Sequence, residues 1–279
     1  MSARVAVVGH IEWLEFAVVD HVPRPGEIVE SREDFTMAAG GGAVAAVQLR
    51  KLAGAADFFT AVGEDRAGGE SAVQLRYRGL ELHAAQRSAP TRRAFSHLSD
   101  DHERTITVFG ERLVPHGDDD LPWERLADFD AVYFTGGDVG ALRAARAARV
   151  LVATPRALPV LKAGGVQLDV LVASGLDAGE AYGAGTLDPD PRFVVKTHGK
   201  EGGDWVGSEG RTGHWAAAEL PGEPVDAYGC GDSFAAGLTF ALGRGVELPD
   251  ALALAAKCGA NMLCGRGPYS NQIELQPGG

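Results

Sequence analysis

The stretch DAYGCGDSFAAG, residues 226–237, sets two glycines just before an acidic residue, Asp232, and then starts an apolar run typical of a helix. Backbone N–H groups at a helix N-terminus have no partner within the helix, and the helix dipole adds to their attraction for anions. A carboxylate in such a place indicates chemistry, and the removal of a proton from a hydroxyl that attacks a phosphoryl group fits it. The alternative is that Asp232 only caps the helix. The local pattern leaves both readings open.

This stretch resembles the D-T-x-G-A-G-D-x-F-x-x-G signature of the ribokinase-like (PfkB-type) carbohydrate kinases, with Ala227 and Cys230 in place of Thr and Ala. The resemblance implies that Asp232 is the catalytic base. It also implies that three backbone amides form an anion hole for the transferring phosphate, those of Gly229, Cys230 and Gly231.

Length and composition exclude several classes of function. The 279 residues can bury a sizeable core, and 45% apolar with 23% charged residues is ordinary for a globular protein. A formal net charge of −12 argues against nucleic-acid binding, which requires a basic surface. The three cysteines lack metal-ligand spacing, and we find neither a signal segment nor a bilayer-spanning apolar run. We therefore expect a cytoplasmic protein with no nucleic-acid and no membrane partner.

Short apolar runs alternate with helical patterns along the chain. Helices are expected at 43–52, 140–149 and 250–264, and strands at 4–9 (running on to residue 19), 56–62, 130–135, 150–153, 170–173 and 193–197. The alternation predicts an α/β protein, a three-layer α/β/α sandwich with a mostly parallel central sheet. The resemblance implies the ribokinase-like version of this fold. No linker interrupts the pattern, so we expect a single domain over residues 1–279.

Two extended segments, about 11–36 and 92–109, do not fit the alternation. The second reads as a β-hairpin that turns at residues 99–103. Together they predict a small β lid on the main domain. Because edge strands need covering, pairing of two lids in a homodimer is an open expectation.

Residues 39–44, Ala-Gly-Gly-Gly-Ala-Val, open a helix and resemble the family's G-G-x-G-A-N, in which backbone amides and the Asn hold the sugar. The resemblance implies that Gly40 and Gly41 contact the substrate. Val44 stands in place of the Asn, which removes one recognition amide. From the residues alone, the glycines fit either a close approach to a ligand or a flexible turn.

The first strand also departs from the family pattern, because Leu14 stands where relatives usually carry a sugar-binding Asp. Side chains two residues apart share a strand face, so Glu12 is our candidate to replace that carboxylate. A solvent-exposed edge residue is the alternative for Glu12. Asp138 follows a strand end, where open α/β sheets contact ligands, although turn chemistry explains it as well.

Two further motifs resemble the nucleotide side of the family. Asp177 and Glu180 match N-x-x-E, which implies an Mg²⁺ site that Glu180 serves through water, although D-x-x-E is also a common helix start. Thr197, Gly199 and Gly202 match a T-x-G-x-x-G turn that approaches nucleotide phosphates.

Two single residues complete the candidates. Asn261 near the end of the last helix is a candidate contact for the adenine, with a solvent-exposed amide as the alternative. The resemblance implies that Asp226 helps to hold a monovalent cation such as K⁺.

Other chemistries lack their motifs: we find no H-E-x-x-H, no G-x-S-x-G and no Walker G-K-[ST]. The motifs present predict an ATP- and Mg²⁺-dependent phosphotransferase that acts on a hydroxyl of a small sugar or sugar-like substrate. The alternatives are a nucleoside kinase and a non-catalytic binding protein on the same scaffold. The loss of sugar contacts at Leu14 and Val44 favours the last of these, and the intact signature opposes it.

Overall fold

Apolar runs that are buried at every position form the middle of a large sheet. In the computed structural model, which describes residues 3–99, 104–208 and 210–275, Val5–Val8 and Ala131–Phe134 are two such runs. A strand buried on both faces requires a covering layer on each side, as in parallel sheets flanked by helices.

The strands, in chain order, are β1 (Val5–Val8), β2 (Glu12–Val18), β3 (Glu33–Ala39), β4 (Asp57–Gly63), β5 (Glu81–Arg87), β6 (Arg93–Leu98), β7 (Arg104–Phe109), β8 (Ala131–Phe134), β9 (Val150–Ala153), β10 (Val170–Ser174), β11 (Phe193–Thr197), β12 (Gly203–Gly207) and β13 (Thr212–Trp215). The α-helices are α1 (Gly41–Ala53), α2 (Arg66–Tyr77), α3 (Val139–Ala145), α4 (Leu158–Gly164), α5 (Cys230–Gly243) and α6 (Leu248–Leu263).

The central sheet has nine strands in the order β13-β12-β11-β10-β9-β8-β1-β4-β5. All pairs from β11 to β5 are parallel, and β12 and β13 extend that edge in antiparallel pairing. The predicted mostly parallel sheet is therefore confirmed.

Alternate residues of β1 divide between two cores. Val5 and Val7 pack into the core that includes residues of α1, α2, α5 and α6, whereas Ala6 and Val8 pack with residues of α3 and α4. This alternation follows from the two-residue period of a strand and confirms the three-layer sandwich. In the described ranges, no helix is both long and apolar enough to cross a bilayer.

A second sheet of four strands, in the order β3-β2-β6-β7, stands beside the first. β2 pairs antiparallel with β3 and parallel with β6, and β6 pairs antiparallel with β7. We call these four strands the small sheet. It corresponds to the two segments that did not fit the alternation, although residues 100–103 of the expected hairpin turn lie outside the described part. A lid role for the small sheet, and the single-domain assignment, stay predictions.

Some element bounds differ from expectation. The first apolar run ends at Val8, and β2 enters the small sheet after a break at residues 9–11. α3 ends at Ala145, and the guanidinium of the following Arg146 donates to the carbonyls of Gln167 and Ala148. The sequence did not predict β5, β12 and β13, which carry polar or glycine residues and lie at or near sheet edges.

The close packing of α1 on the end of β1 yields a stability prediction. A Cβ atom at Gly42 would lie 2.6 Å from the main-chain O and 2.9 Å from the main-chain N of His10, and main-chain atoms cannot rotate away. We expect Gly42→Ala to lower the free energy of unfolding by about 1–3 kcal/mol, measured by chemical denaturation. Gly69→Ala in α2 is the control, since no heavy atom lies within 4 Å of its Cβ position. Equal stability of the two variants would contradict this packing.

Candidate active site

The N-termini of α1 and α5 meet at the centre of the candidate site. Each helix follows a glycine with positive φ, 87° at Gly40 and 78° at Gly229, which few other residues adopt. A Cβ atom at Gly41 would lie only 2.6 Å from Oδ1 of Asp232. The Asp232 carboxylate therefore lies against the first residue of α1, where a larger residue would displace it.

Asp232 is the third residue of α5, and Gly229 occupies the N-cap position. Asp232 is therefore inside the first turn and does not occupy the N-cap position of α5. The Ser233 amide makes a helical bond to Gly229 O at 2.9 Å, and the Cys230 amide makes a long 3.5 Å contact with Ala227 O. Amide donors in this first turn thus precede the regular helical ladder, as an anion site requires.

A cavity of about 330 Å³ opens beside this helix start. Cys230 and Gly231 line it, and so do the three residues of the predicted phosphate turn, Thr197, Gly199 and Gly202. The remaining walls are mostly apolar, with one cation: Lys200, Trp215, Ala217, Ala218, Leu220, Phe234, Ala256, Gly259, Ala260 and Leu263. An apolar cleft with phosphate-type donors at one end suits a flat aromatic base that carries a phosphate chain.

Asn261 does not line this cavity. Its side-chain amide donates to the carbonyl oxygen of Lys257, one helical turn earlier, at 2.9 Å. Ala260 and Gly259, its neighbours on α6, form the wall instead. The adenine contact predicted for Asn261 gains no support from this placement.

Glu12 lies beside Gly40 and is buried, with a side chain only 12% exposed. A Cβ atom at Gly40 would lie 3.0 Å from Glu12 N, so Glu12, Gly40, Gly41 and Asp232 form one continuous group. The Arg92 guanidinium approaches Glu12 to 3.2 Å. The exposed-edge alternative for Glu12 is therefore wrong.

His10 adjoins Glu12, with 3.9 Å between its Nε2 and Glu12 Oε1. Burial, together with the charges of Arg112, Arg92 and Arg156, holds the pKa of His10 well below its usual 6.5. His10 is therefore neutral near pH 7, and its buried Nδ1 has no hydrogen-bond partner among the described residues.

The side chain of Asp138 makes hydrogen bonds within its own turn and to a neighbouring loop. Its Oδ1 accepts hydrogen bonds at 2.8 Å from the amides of Ala141 and Gly117, which caps α3 and fastens the preceding loop. The turn-chemistry reading explains these contacts, and substrate binding by Asp138 stays a prediction.

The two carboxylates of the D-x-x-E motif converge on one guanidinium. Arg156 bonds to Glu180 through Nε at 2.9 Å and pairs with Asp177 through its terminal nitrogen. Burial lowers the pKa of Arg156, but the bond to Glu180 and the nearby carboxylate charges outweigh it, so the net shift is upward. Glu180 also accepts the Ser174 amide at 2.9 Å. These oxygens suit Mg²⁺ held through water, because Arg156 blocks part of the direct approach.

Asp226 ties the signature to the segment after α6. It is 1% exposed, and its two oxygens accept the amides of Tyr228 at 2.8 Å and Gly267 at 3.0 Å. The Tyr228 hydroxyl in turn accepts the Gly40 amide at 3.0 Å. Asp226 thus organises the loop, and its monovalent-cation role stays a prediction.

Leu14 and Val44 are both completely buried. Val44 packs against Gly229, where a Cβ atom would lie 2.8 Å from Val44 Cγ1. At both positions where the expected polar contacts are missing, the side chain belongs to the core.

Four residues near the site were not predicted from the sequence: Arg92, Arg112, Arg156 and Trp215. The arginines lie in separate segments outside regular strands, so no periodicity or spacing relates them. Trp215 lies on the unpredicted β13 and stacks on Phe234 with ring centroids 5.7 Å apart.

Comparison with known proteins agrees with this architecture. The model of the pfkB family carbohydrate kinases matches residues 2–170 and 176–274. An ATP-dependent ribose-1-phosphate kinase from Halopiger xanaduensis is 26% identical over 271 residues, 92% of this chain and 90% of that protein.

Solved structures share the fold at low identity. Ribokinase from Arabidopsis thaliana, complexed with ribose and ATP, aligns with a TM-score of 0.75 and 18% identity over 98% of this chain and 97% of its own. Adenosine kinase from Sinorhizobium meliloti aligns with a TM-score of 0.77 and 19% identity over 97% and 96%.

The depressed pKa of His10 predicts a pH dependence of stability. Below about pH 6.5 the unfolded chain protonates this histidine, whereas the folded protein resists the proton, so folding stability falls as the pH falls. We expect the decrease in Tm between pH 7.5 and 5.5 to be smaller in His10→Gln than in the original chain. Between pH 8.5 and 7.5 the two proteins should change in parallel. An equal acid sensitivity below pH 6.5 would show that His10 is not held neutral.

Proposed function

Since this chain belongs to the pfkB family of carbohydrate kinases, and is thereby a sugar kinase, we propose that it transfers the terminal phosphoryl group of ATP to a hydroxyl of a small sugar-like molecule. One observation carries the proposal: the Asp232 carboxylate lies where two helix N-termini meet. It lies against Gly41, whose neighbour Gly40 contacts Glu12, and the two residues directly before it, Cys230 and Gly231, line the apolar cavity.

Asp232 is the base in this proposal. Its carboxylate lies against Gly41, and the adjacent Gly40 contacts Glu12, a side chain able to orient sugar hydroxyls. As the acceptor oxygen attacks the terminal phosphorus of ATP, its proton passes to Asp232. The new O–P bond forms while the bond to the bridging oxygen breaks, and ADP leaves.

The amides of Gly229, Cys230 and Gly231 stabilise the charge on the group in transfer. Cys230 and Gly231 line the cavity at the start of α5, which supports this role. Fixed main-chain donors need no rearrangement when charge develops, so they stabilise the transition state efficiently. Thr197, Gly199 and Gly202 face the same cavity and would contact the nucleotide phosphates.

Cations complete the proposed site. Bound Mg²⁺ would neutralise part of the charge on the nucleotide phosphates. Glu180, and Asp177 beside it, would hold the ion through water, since Arg156 already engages both carboxylates. For Asp226 we keep the role of a K⁺-site residue, although main-chain amides already use both of its oxygens.

The small sheet is the proposed lid. It supplies Glu12, and Arg92 directly precedes its strand β6, so both acid and guanidinium move with it. A cover over the acceptor would exclude water from the reaction. The edge strand β7 exposes Ile106, Val108 and Phe109, which supports the expectation that two lids pair in a homodimer.

The role of Asp232 gives a direct prediction. Asp232→Asn keeps the size of the side chain and removes the base, so we expect turnover to fall about 10²- to 10⁴-fold. The Kd for ATP should stay within about twofold, because the nucleotide cavity is unchanged. ADP release and nucleotide titration measure the two quantities.

Asp250→Asn is the matched control, an exposed aspartate in the first turn of α6. It should match the original chain in turnover. Near-normal turnover of Asp232→Asn would remove the base assignment.

The apolar cavity gives a second prediction. In Ala260→Phe the phenyl ring would occupy the cavity between α6 and the predicted phosphate turn. We expect it to weaken ATP binding about 5- to 100-fold. Ala253→Phe lies exposed on the same helix and serves as the control. If both variants bind ATP equally well, the nucleotide lies elsewhere.

One activity assay also tests the two alternative functions, a nucleoside kinase and a non-catalytic binding protein. The fold shared with an adenosine kinase supports a nucleoside acceptor, and the apolar Leu14 and Val44 support a binding protein without turnover. Ribose, ribose 1-phosphate and adenosine, tested for stimulated ADP release, separate the classes. Silence of all acceptors while ATP binds would favour the non-catalytic protein.

A further inference from the structure

Guanidinium groups concentrate around the acceptor side of the site, in a chain whose formal net charge is −12. Arg92, Arg112 and Arg156 each act electrostatically on the buried His10, and Arg112 interacts with both Glu12 and Asp232. Because the chain carries a net negative charge, the approach of three arginines to one buried histidine needs an explanation.

Two of the three arginines have acidic partners. Arg156 pairs with Asp177 and Glu180, and Arg92 lies 3.2 Å from Glu12. These contacts neutralise each charge within the protein. Neither arginine alone requires a ligand.

Arg112 differs. Over the described ranges, no carboxylate lies within 4.0 Å of its guanidinium nitrogens, and its buried Nε has no hydrogen-bond partner. Burial, followed by the charge of Arg92, lowers the pKa of Arg112, so its charged form is disfavoured where it stands. A half-buried cation beside another cation, with no carboxylate close enough for an ion pair among the described residues, is costly for the folded protein.

The position of Arg112 indicates which ligand would supply the counter-ion. It lies on the return from β7 to the central sheet, as Arg92 lies on the way out to β6, so both stand where the small sheet joins the main body. Neither lines the apolar cavity assigned to the nucleotide. The missing anion therefore belongs on the acceptor side.

Resting on the proposed kinase function, we propose that the acceptor is a sugar that carries an anionic oxygen group, a phosphate or a carboxylate, and that Arg112 binds this group with Arg92 beside it. The planar guanidinium fork matches the oxygens of either group. The unpartnered Nδ1 of the neutral His10 offers one more hydrogen-bonding position nearby. This charge would supply part of the recognition that the apolar Leu14 and Val44 do not, beside the hydroxyl contacts proposed for Glu12.

The test compares Arg112→Gln with the original chain on four acceptors: ribose, ribose 1-phosphate, ribose 5-phosphate and ribonate. The original chain should prefer an anionic acceptor over ribose. A preference for the two sugar phosphates would identify the anionic group as a phosphate, and a preference for ribonate would identify it as a carboxylate. In Arg112→Gln the KM for that acceptor should rise about 10- to 100-fold, with the KM for ATP unchanged. Removal of an uncompensated charge should leave Tm equal or higher, whereas a structural role would lower it.

Arg93→Gln is the matched control, because Arg93 is exposed and pairs with Glu15 on the outer side of the small sheet. It should behave as the original chain. Preference for neutral ribose, or a rise in the KM for ATP instead of the acceptor, would overturn the inference and leave the kinase intact.

A binding measurement separates this inference from the proposed function. Calorimetric titration of ribose 5-phosphate, ribose 1-phosphate and ribonate, with a non-hydrolysable ATP analogue present, needs no turnover. Binding that Arg112→Gln weakens, without phosphorylation, would contradict the kinase proposal and keep the anion site. Absence of binding of all three to a chain that phosphorylates ribose would remove the anion site alone.

Discussion

The contact between the first turns of α1 and α5 leaves room for hydrogen atoms but not for carbon side chains. Gly41 faces the Asp232 carboxylate, and Gly229 faces Val44, at separations that any Cβ atom would violate. The strand and the loop before these helices position them: β3 leads directly into α1, and the loop held by Asp226 leads into α5. The N-termini of both helices, which carry partial positive charge, thus lie next to one carboxylate. Such a place attracts an anionic group and holds a base beside it, which suits phosphoryl transfer.

Charge is distributed unevenly around that carboxylate. On the side of the D-x-x-E motif, Arg156 pairs with two acids, so its positive charge is compensated within the protein. On the side of the small sheet, Arg92 compensates Glu12, while Arg112 has no carboxylate within 4.0 Å among the described residues. The same residue type therefore has two roles, one internal to the scaffold and one directed toward a ligand.

Much of this could be predicted from sequence, for physical reasons. β1 and β8 are buried on both faces and appear as uninterrupted apolar runs, whereas the mixed composition of β12 and β13 conceals them. Gly229 and Asp232 lie three residues apart in one motif, so their proximity in space follows directly from the sequence. Arg112 comes to the site only through the pairing of β6 with β7 and the return of the chain, which no local pattern encodes. Asn261 is the opposite case: its residue type suits an adenine contact, but its side-chain amide donates to Lys257 O, which the sequence alone does not reveal.

The segment that follows α6 has a mechanical consequence. Gly267 is bonded to Asp226, the Tyr269 hydroxyl donates to Ala38 O at 2.6 Å, and Arg266 pairs with Glu33, so this segment fastens the end of α6 to β3. An outward swing of the small sheet must either break these bonds or pull on the helix whose Ala260 and Leu263 wall the cavity. In the proposed lid motion, ligands on the two sides would be thermodynamically linked, and each would change the affinity of the other by the same factor.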